Sequence, residues 1–124
     1  MPPAFTHATN LSGAIAACAG CLLLLLLVTA ASASAASCAG KHATIVGTSG
    51  DDVIVGKKAS DVIYGGGGDD RISGGPNGND RICGGPGDDS IHGGRGYDAL
   101  YGDGGDDRLD GDTGSDHIEG GEGN

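Results

Sequence analysis

The chain has 124 residues, of which 27 are glycine, and it carries 17 acidic against 7 basic side chains. Leu, Ile, Val and Phe together make up about 19% of it, and a net charge of -10 with so few aliphatics is the composition of a chain that does not fold unaided. That balance excludes an ordinary enzyme domain, and the negative charge argues against nucleic acid or anionic membrane as a partner.

Residues 1–40 contain no Asp, Glu, Lys or Arg. An apolar run, Ala14–Val28 with Leu22–Leu27 unbroken, is followed by Ala30-Ala31-Ser32-Ala33-Ser34-Ala35-Ala36-Ser37. An apolar stretch ending in an Ala-x-Ala series is expected of a secretory signal peptide, assigned to residues 1–37, with cleavage after Ala33 or Ala35. The expected location is extracellular, with no stable membrane insertion after cleavage. An uncleaved membrane anchor is the other reading of a stretch this long.

From Gly47 onward the chain repeats every nine residues: GTSGDDVIV, GKKASDVIY, GGGGDDRIS, GGPNGNDRIC, GGPGDDSIH, GGRGYDALY, GDGGDDRLD, GDTGSDHIE, then GGEGN. The sixth place is always Asp: Asp52, Asp61, Asp70, Asp80, Asp89, Asp98, Asp107 and Asp116. The spacing is nine except for a single ten, where a residue is added around Pro76–Gly78. Two places after each Asp stands an aliphatic: Ile54, Ile63, Ile72, Ile82, Ile91, Leu100, Leu109 and Ile118. Glycine at the early places permits a tight turn, and the last three residues alternate polar, apolar, polar as a short strand does. Two repeats therefore make one coil, and coils stack at about 4.8 Å to give two facing parallel sheets. The predicted fold is all-β, a parallel β-roll (a right-handed β-solenoid). Residues 38–46 carry Ile45 at the inward place but Ala43 where Asp belongs, and are expected to form a capping strand without a metal turn.

Stacking brings the Asp of one repeat above the Asp two repeats on, and like charges that close are destabilising unless neutralised. A hard divalent cation held by carboxylates and turn carbonyls removes the repulsion, and an irregular oxygen cage suits calcium better than magnesium. Odd repeats add a second acid at the fifth place, Asp51, Asp69, Asp88 and Asp106, where even repeats carry Ser60, Asn79, Tyr97 and Ser115. The odd edge is thus expected to bind calcium more tightly.

GGGGDDRIS, GGPGDDSIH and GGRGYDALY resemble the RTX, or hemolysin-type, calcium-binding repeat G-G-x-G-x-D-x-U-x, and the resemblance covers residues 47–124. It implies calcium between stacked turns, bound by the Asp side chains and by carbonyls of the glycine region. Carried over by position, the pairs are Asp52 with Asp70, Asp61 with Asp80, Asp70 with Asp89, Asp80 with Asp98, Asp89 with Asp107 and Asp98 with Asp116, six ions at most. The glycines so implied are Gly65, Gly66, Gly68, Gly74, Gly75, Gly84, Gly85, Gly87, Gly93, Gly94, Gly96 and Gly105. Repeat two departs from the pattern with Lys57, Lys58 and Ala59.

Cys18 and Cys21 fall in the apolar leader, leaving Cys38 and Cys83 as an even pair, expected to form a disulfide in an exported chain. His42, His92 and His117 occupy different repeat places and share no imidazole site; no nucleophile elbow or phosphate loop is present. The function expected is a secreted, non-catalytic calcium-binding module. The alternative is a truncated fragment, or the C-terminal module of a larger RTX exoprotein such as a protease, lipase or toxin.

Overall fold

Short strands recur at the period of the sequence. The computed structural model describes residues 36–123; the segment expected to be a signal peptide lies outside them up to Ala35, Cys18 and Cys21 included. The chain enters through a hairpin, β1 (Ser37–Cys38) antiparallel to β2 (Lys41–His42). Its two central residues, Ala39 and Gly40, have φ of 46° and 78°, the backbone that two-residue hairpins favour.

Thereafter all strand pairing among the described residues is parallel. One sheet has five strands: β3 (Ile45–Val46), β5 (Val62–Tyr64), β7 (Arg81–Pro86), β10 (Ala99–Gly104) and β13 (His117–Glu119), adjacent in that order. The other has four: β4 (Val53–Val55), β6 (Arg71–Ser73), β8 (Ser90–His92) and β11 (Arg108–Asp110). β9 (Arg95–Gly96) and β12 (Thr113–Gly114), both in turns, pair with each other. The fold is a β-roll of about four coils, as the period predicts.

Register follows the aliphatics. Ile45, Ile63, Ile82, Leu100 and Ile118 are aligned partners across the first sheet, and Ile54, Ile72, Ile91 and Leu109 across the second. Ile63, Ile72, Ile82, Ile91 and Leu100 are fully buried in one cluster, with Ile54 joining it and Ile45 and Leu109 packed against it. Ile118 is 48% exposed, because no further described coil stacks beyond β13. Neighbours in the strands, such as Val53 and Val55 on either side of Ile54, face outward. Each repeat thus contributes one side chain to the interior, which is all that three-residue strands of period two allow.

The added residue in repeat four is absorbed in the turn. Asp61 and Asp80, and Asp70 and Asp89, are 19 residues apart and still bonded, against 18 for the other pairs. Residues 38–46 do not form one strand: Cys38–His42 belong to the hairpin, and only Ile45–Val46 (β3) joins the first sheet, pairing with β5, while Thr44 exchanges hydrogen bonds with the backbone of Val62. Cys38 and Cys83 form a disulfide with Cα atoms 5.5 Å apart, tying the hairpin to β7 across 45 residues of chain. Closing so long a loop is worth a few kcal/mol in the chain-entropy account, about 4 by its scaling.

Candidate metal centre

The sixth-place aspartates build a ladder along the stacked turns. The N–H of each donates to Oδ1 of the Asp one coil on: Asp52 to Asp70, Asp61 to Asp80, Asp70 to Asp89, Asp80 to Asp98, Asp89 to Asp107 and Asp98 to Asp116, at 2.7–2.9 Å. All six predicted pairs are brought together. The bond fixes each carboxylate and leaves its other oxygen pointing into its own turn.

That second oxygen is the chemically unsatisfied group. Oδ2 of Asp70, Asp80, Asp89, Asp98 and Asp107 is buried with no hydrogen-bond partner. A buried carboxylate oxygen left unpaired costs free energy unless a cation or donor meets it. Beside it stands the first glycine of the repeat, and above it the carbonyl of the first glycine one coil on. A methyl group placed on Gly93 would lie 2.7 Å from Asp98 Oδ2 and 2.9 Å from Gly111 O. Gly65, Gly74, Gly84 and Gly102 sit in the same way between Asp70, Asp80, Asp89 and Asp107 and the carbonyls of Gly84, Gly93, Gly102 and Gly120. A carboxylate oxygen and a carbonyl oxygen thus converge where no side chain fits.

The remaining glycines shape the turn. From repeat three onward the second and fourth residues have positive φ, including the predicted Gly66, Gly75, Gly85 and Gly94 at the second place and Gly68, Gly87, Gly96 and Gly105 at the fourth. The second place is filled twice by Asp, Asp103 (φ 73°) and Asp112 (φ 62°), a residue type that tolerates left-handed backbone better than most. Gly78 (φ 140°) takes the fourth-place role in the lengthened repeat. The carbonyls of Gly102, Gly111 and Gly120 were absent from the residues carried over by resemblance, although the same period points to them.

The donors are hard oxygens, irregularly placed, with carboxylate charge at every turn; they fit calcium and offer nothing to a soft metal. Burial pushes the carboxyls of Asp80 and Asp89 up to about 6, with the N–H of Asp61 or Asp70 pulling back and neighbouring carboxylates adding to the rise. Burial raises Asp70, Asp98 and Asp103 as well. In the metal-free chain the folded form therefore holds protons that the unfolded form has released above its ordinary 3.8. Stability is present below that value and is lost as pH rises through about 6. A pH titration of calcium-free protein by circular dichroism is expected to show more ordered structure at about pH 4.5 than at about pH 7.5. Structure that grows with rising pH would contradict this electrostatic picture.

The fifth place forms a second ladder of opposite sense. Oδ1 of Asp51, Asp69 and Asp88 accepts the N–H of Asp69, Asp88 and Asp106 one coil on. On the even edge Ser60 Oγ and Asn79 Oδ1 accept from Asn79 and Tyr97 in the same way. The three histidines stay apart, on β2, β8 and β13. On the outer surface His92 stands with Asp110 and Asp112, their donor atoms within 4.8 Å of one another.

A parallel β-solenoid whose turns gather carboxylate and carbonyl oxygens around small, side-chain-free spaces is a calcium-binding repeat module. The sequence profile of the RTX calcium-binding nonapeptide repeat (4 copies) matches residues 46–76, 77–100 and 101–124, and the chain belongs to that family. Its repeat is a calcium-binding structural unit, not a catalytic one. No curated protein and no solved structure matches the chain at a significant level.

Proposed function

We propose that this is an exported, non-catalytic protein that binds calcium between its stacked turns and takes up its β-roll when it does so. The observation that carries the reading is the set of five buried, unpartnered Asp Oδ2 atoms, each beside a glycine carbonyl of the next coil. The aspartates supply charge, the first glycines supply carbonyls and leave the space free, and the left-handed residues turn the backbone so that oxygens converge. Export is supported by the apolar leader with its Ala-x-Ala tail, and by the Cys38–Cys83 disulfide, a bond that persists in oxidising compartments.

The odd edge carries four additional carboxylates, Asp51, Asp69, Asp88 and Asp106, and binds calcium more tightly than the even edge. Isothermal titration of the full chain is expected to show calcium binding that magnesium at equal concentration does not reproduce, in two affinity classes. Changing the four fifth-place acids to Asn merges the classes by weakening the tighter one. Equal binding of both metals would overturn the calcium reading; a single class unaffected by the four substitutions would overturn the edge asymmetry alone.

A further inference from the structure

The turns fall into two kinds. In the first two repeats the Asp Oδ2 is already met by the chain itself. Thr48 donates its N–H to Asp52 Oδ2 at 2.6 Å and its hydroxyl to the same oxygen at 2.9 Å. Lys57 donates its N–H to Asp61 Oδ2 at 2.6 Å. In the five repeats that follow, no donor reaches that atom.

The cause lies in the second residue. Thr48 and Lys57 carry a Cβ and keep negative φ, and no residue of either of these turns has positive φ. From the third repeat on, the second and fourth residues both do. Left-handed backbone at the second place swings its N–H away from the carboxylate: that of Gly66 goes to Gly84 O at 3.1 Å. A donor N–H on the carboxylate oxygen presents positive charge from the side on which a cation would have to sit. In turn two, the exposed ammonium groups of Lys57 and Lys58 add to the opposition.

At the other end, Asp107 faces a turn that has no sixth-place Asp within the sequence. That ninth turn is nonetheless formed: Glu122 donates its N–H to Asp103 O at 2.8 Å and accepts from Gly105 N–H at 2.9 Å. Gly121 and Gly123 have the positive φ of the open turns. Gly105, Asp107 and residues 120–123 line a cavity of about 50 Å³, space for an ion or a water.

We propose that the calcium array runs from the third turn to the ninth, with ions at Asp70, Asp80, Asp89, Asp98 and Asp107, and that the turns of Asp52 and Asp61 are closed by their own backbone and take none. This rests on the calcium reading above and narrows it. The ion count follows the second residue of the turn rather than the presence of Asp at the sixth place.

The test is a count of bound calcium on the full, oxidised chain by native mass spectrometry and equilibrium dialysis. The expected count is five. Asp52→Asn and Asp61→Asn each leave it at five, and Asp107→Asn lowers it to four. Thr48→Gly is expected to open turn one, where Gly50 already stands at the fourth place, and to raise the count to six. This gain decides the matter even where an Asp variant fails to fold. Loss of an ion in Asp52→Asn or Asp61→Asn, no loss in a folded Asp107→Asn, or a count of five in Thr48→Gly would overturn the proposal while leaving calcium binding intact. A chain that binds no calcium would overturn the underlying reading and this with it.

Discussion

Gly93→Ala is expected to abolish the calcium site of the sixth turn and to lower the thermal midpoint of the calcium-loaded protein by several degrees or more, whereas Gly104→Ala changes neither. Both are glycines of the repeat region without positive φ, so backbone strain does not separate them. Space does. A Cβ at Gly93 lies 2.7 Å from Asp98 Oδ2, 2.9 Å from Gly111 O and 3.1 Å from Asp98 Cβ; at Gly104 it meets nothing within 4 Å. The first three contacts are with a carboxylate held by a ladder bond and with backbone of the next coil, neither of which can move without breaking the stack. Forcing a methyl into such a space costs on the order of 1–3 kcal/mol before the lost ion is counted. For a domain this size, that corresponds to a drop of roughly 4 to well over 10 °C. Thermal unfolding and calcium counts on both variants check it; equal midpoints would mean that the glycine carbonyl and Asp Oδ2 do not define the site.

The larger effect is expected from removing the metal. Six aliphatic side chains make up the buried cluster of the roll, with Ile45 and Leu109 partly covered beside them. So small an interior is marginal for ordering about 80 residues, and glycine-rich turns lose more conformational freedom than others. Along each edge, the backbone N–H of one Asp donates to the carboxylate of the Asp one coil on, and the stacked carboxylates repel one another. Asp98 and Asp61 both act on Asp80, and Asp70 and Asp107 on Asp89. At neutral pH these groups are charged once exposed to water, and the ion pairs among the described residues, His92–Asp112 and His117–Glu119, involve none of them. On the function proposed above, calcium bound there would remove the repulsion, satisfy the Oδ2 atoms and add its binding free energy to that of folding.

The ninefold period made the fold readable because it specifies both the inward aliphatic and the turn. Strand positions such as Val53–Val55 and Arg71–Ser73, the Ile ladders and the stacked Asp pairs all follow from it, whereas the Cys38–Cys83 bridge follows from the even pair of cysteines left in a chain expected to be exported. What it did not convey depends on backbone contacts between coils. β7 and β10 run on into their turns, pairing Gly85 with Asp103 and Pro86 with Gly104, because stacked turns align their peptide groups as strands do. The β1–β2 hairpin lies outside the repeat and is built on Ala39 in positive φ, which no alternation of polarity announces. The fifth-place acids read in sequence only as added charge on the odd edge; the structure gives Asp51, Asp69 and Asp88 a second task, each accepting an N–H from one coil on, as Ser60 and Asn79 also do. Asp103 and Asp112 break the glycine pattern and still adopt its backbone. Asp52 and Asp61 keep the pattern's acid but, through Thr48 and Lys57, lose the open oxygen.

The coupling of metal to fold is tested most directly by far-ultraviolet circular dichroism of the oxidised, calcium-stripped chain at neutral pH, before and after calcium is restored. The expected result is a disordered spectrum without the metal and a β spectrum with it, reversible on chelation and not produced by magnesium. A β spectrum already present without calcium, and unchanged by its addition, would contradict the account.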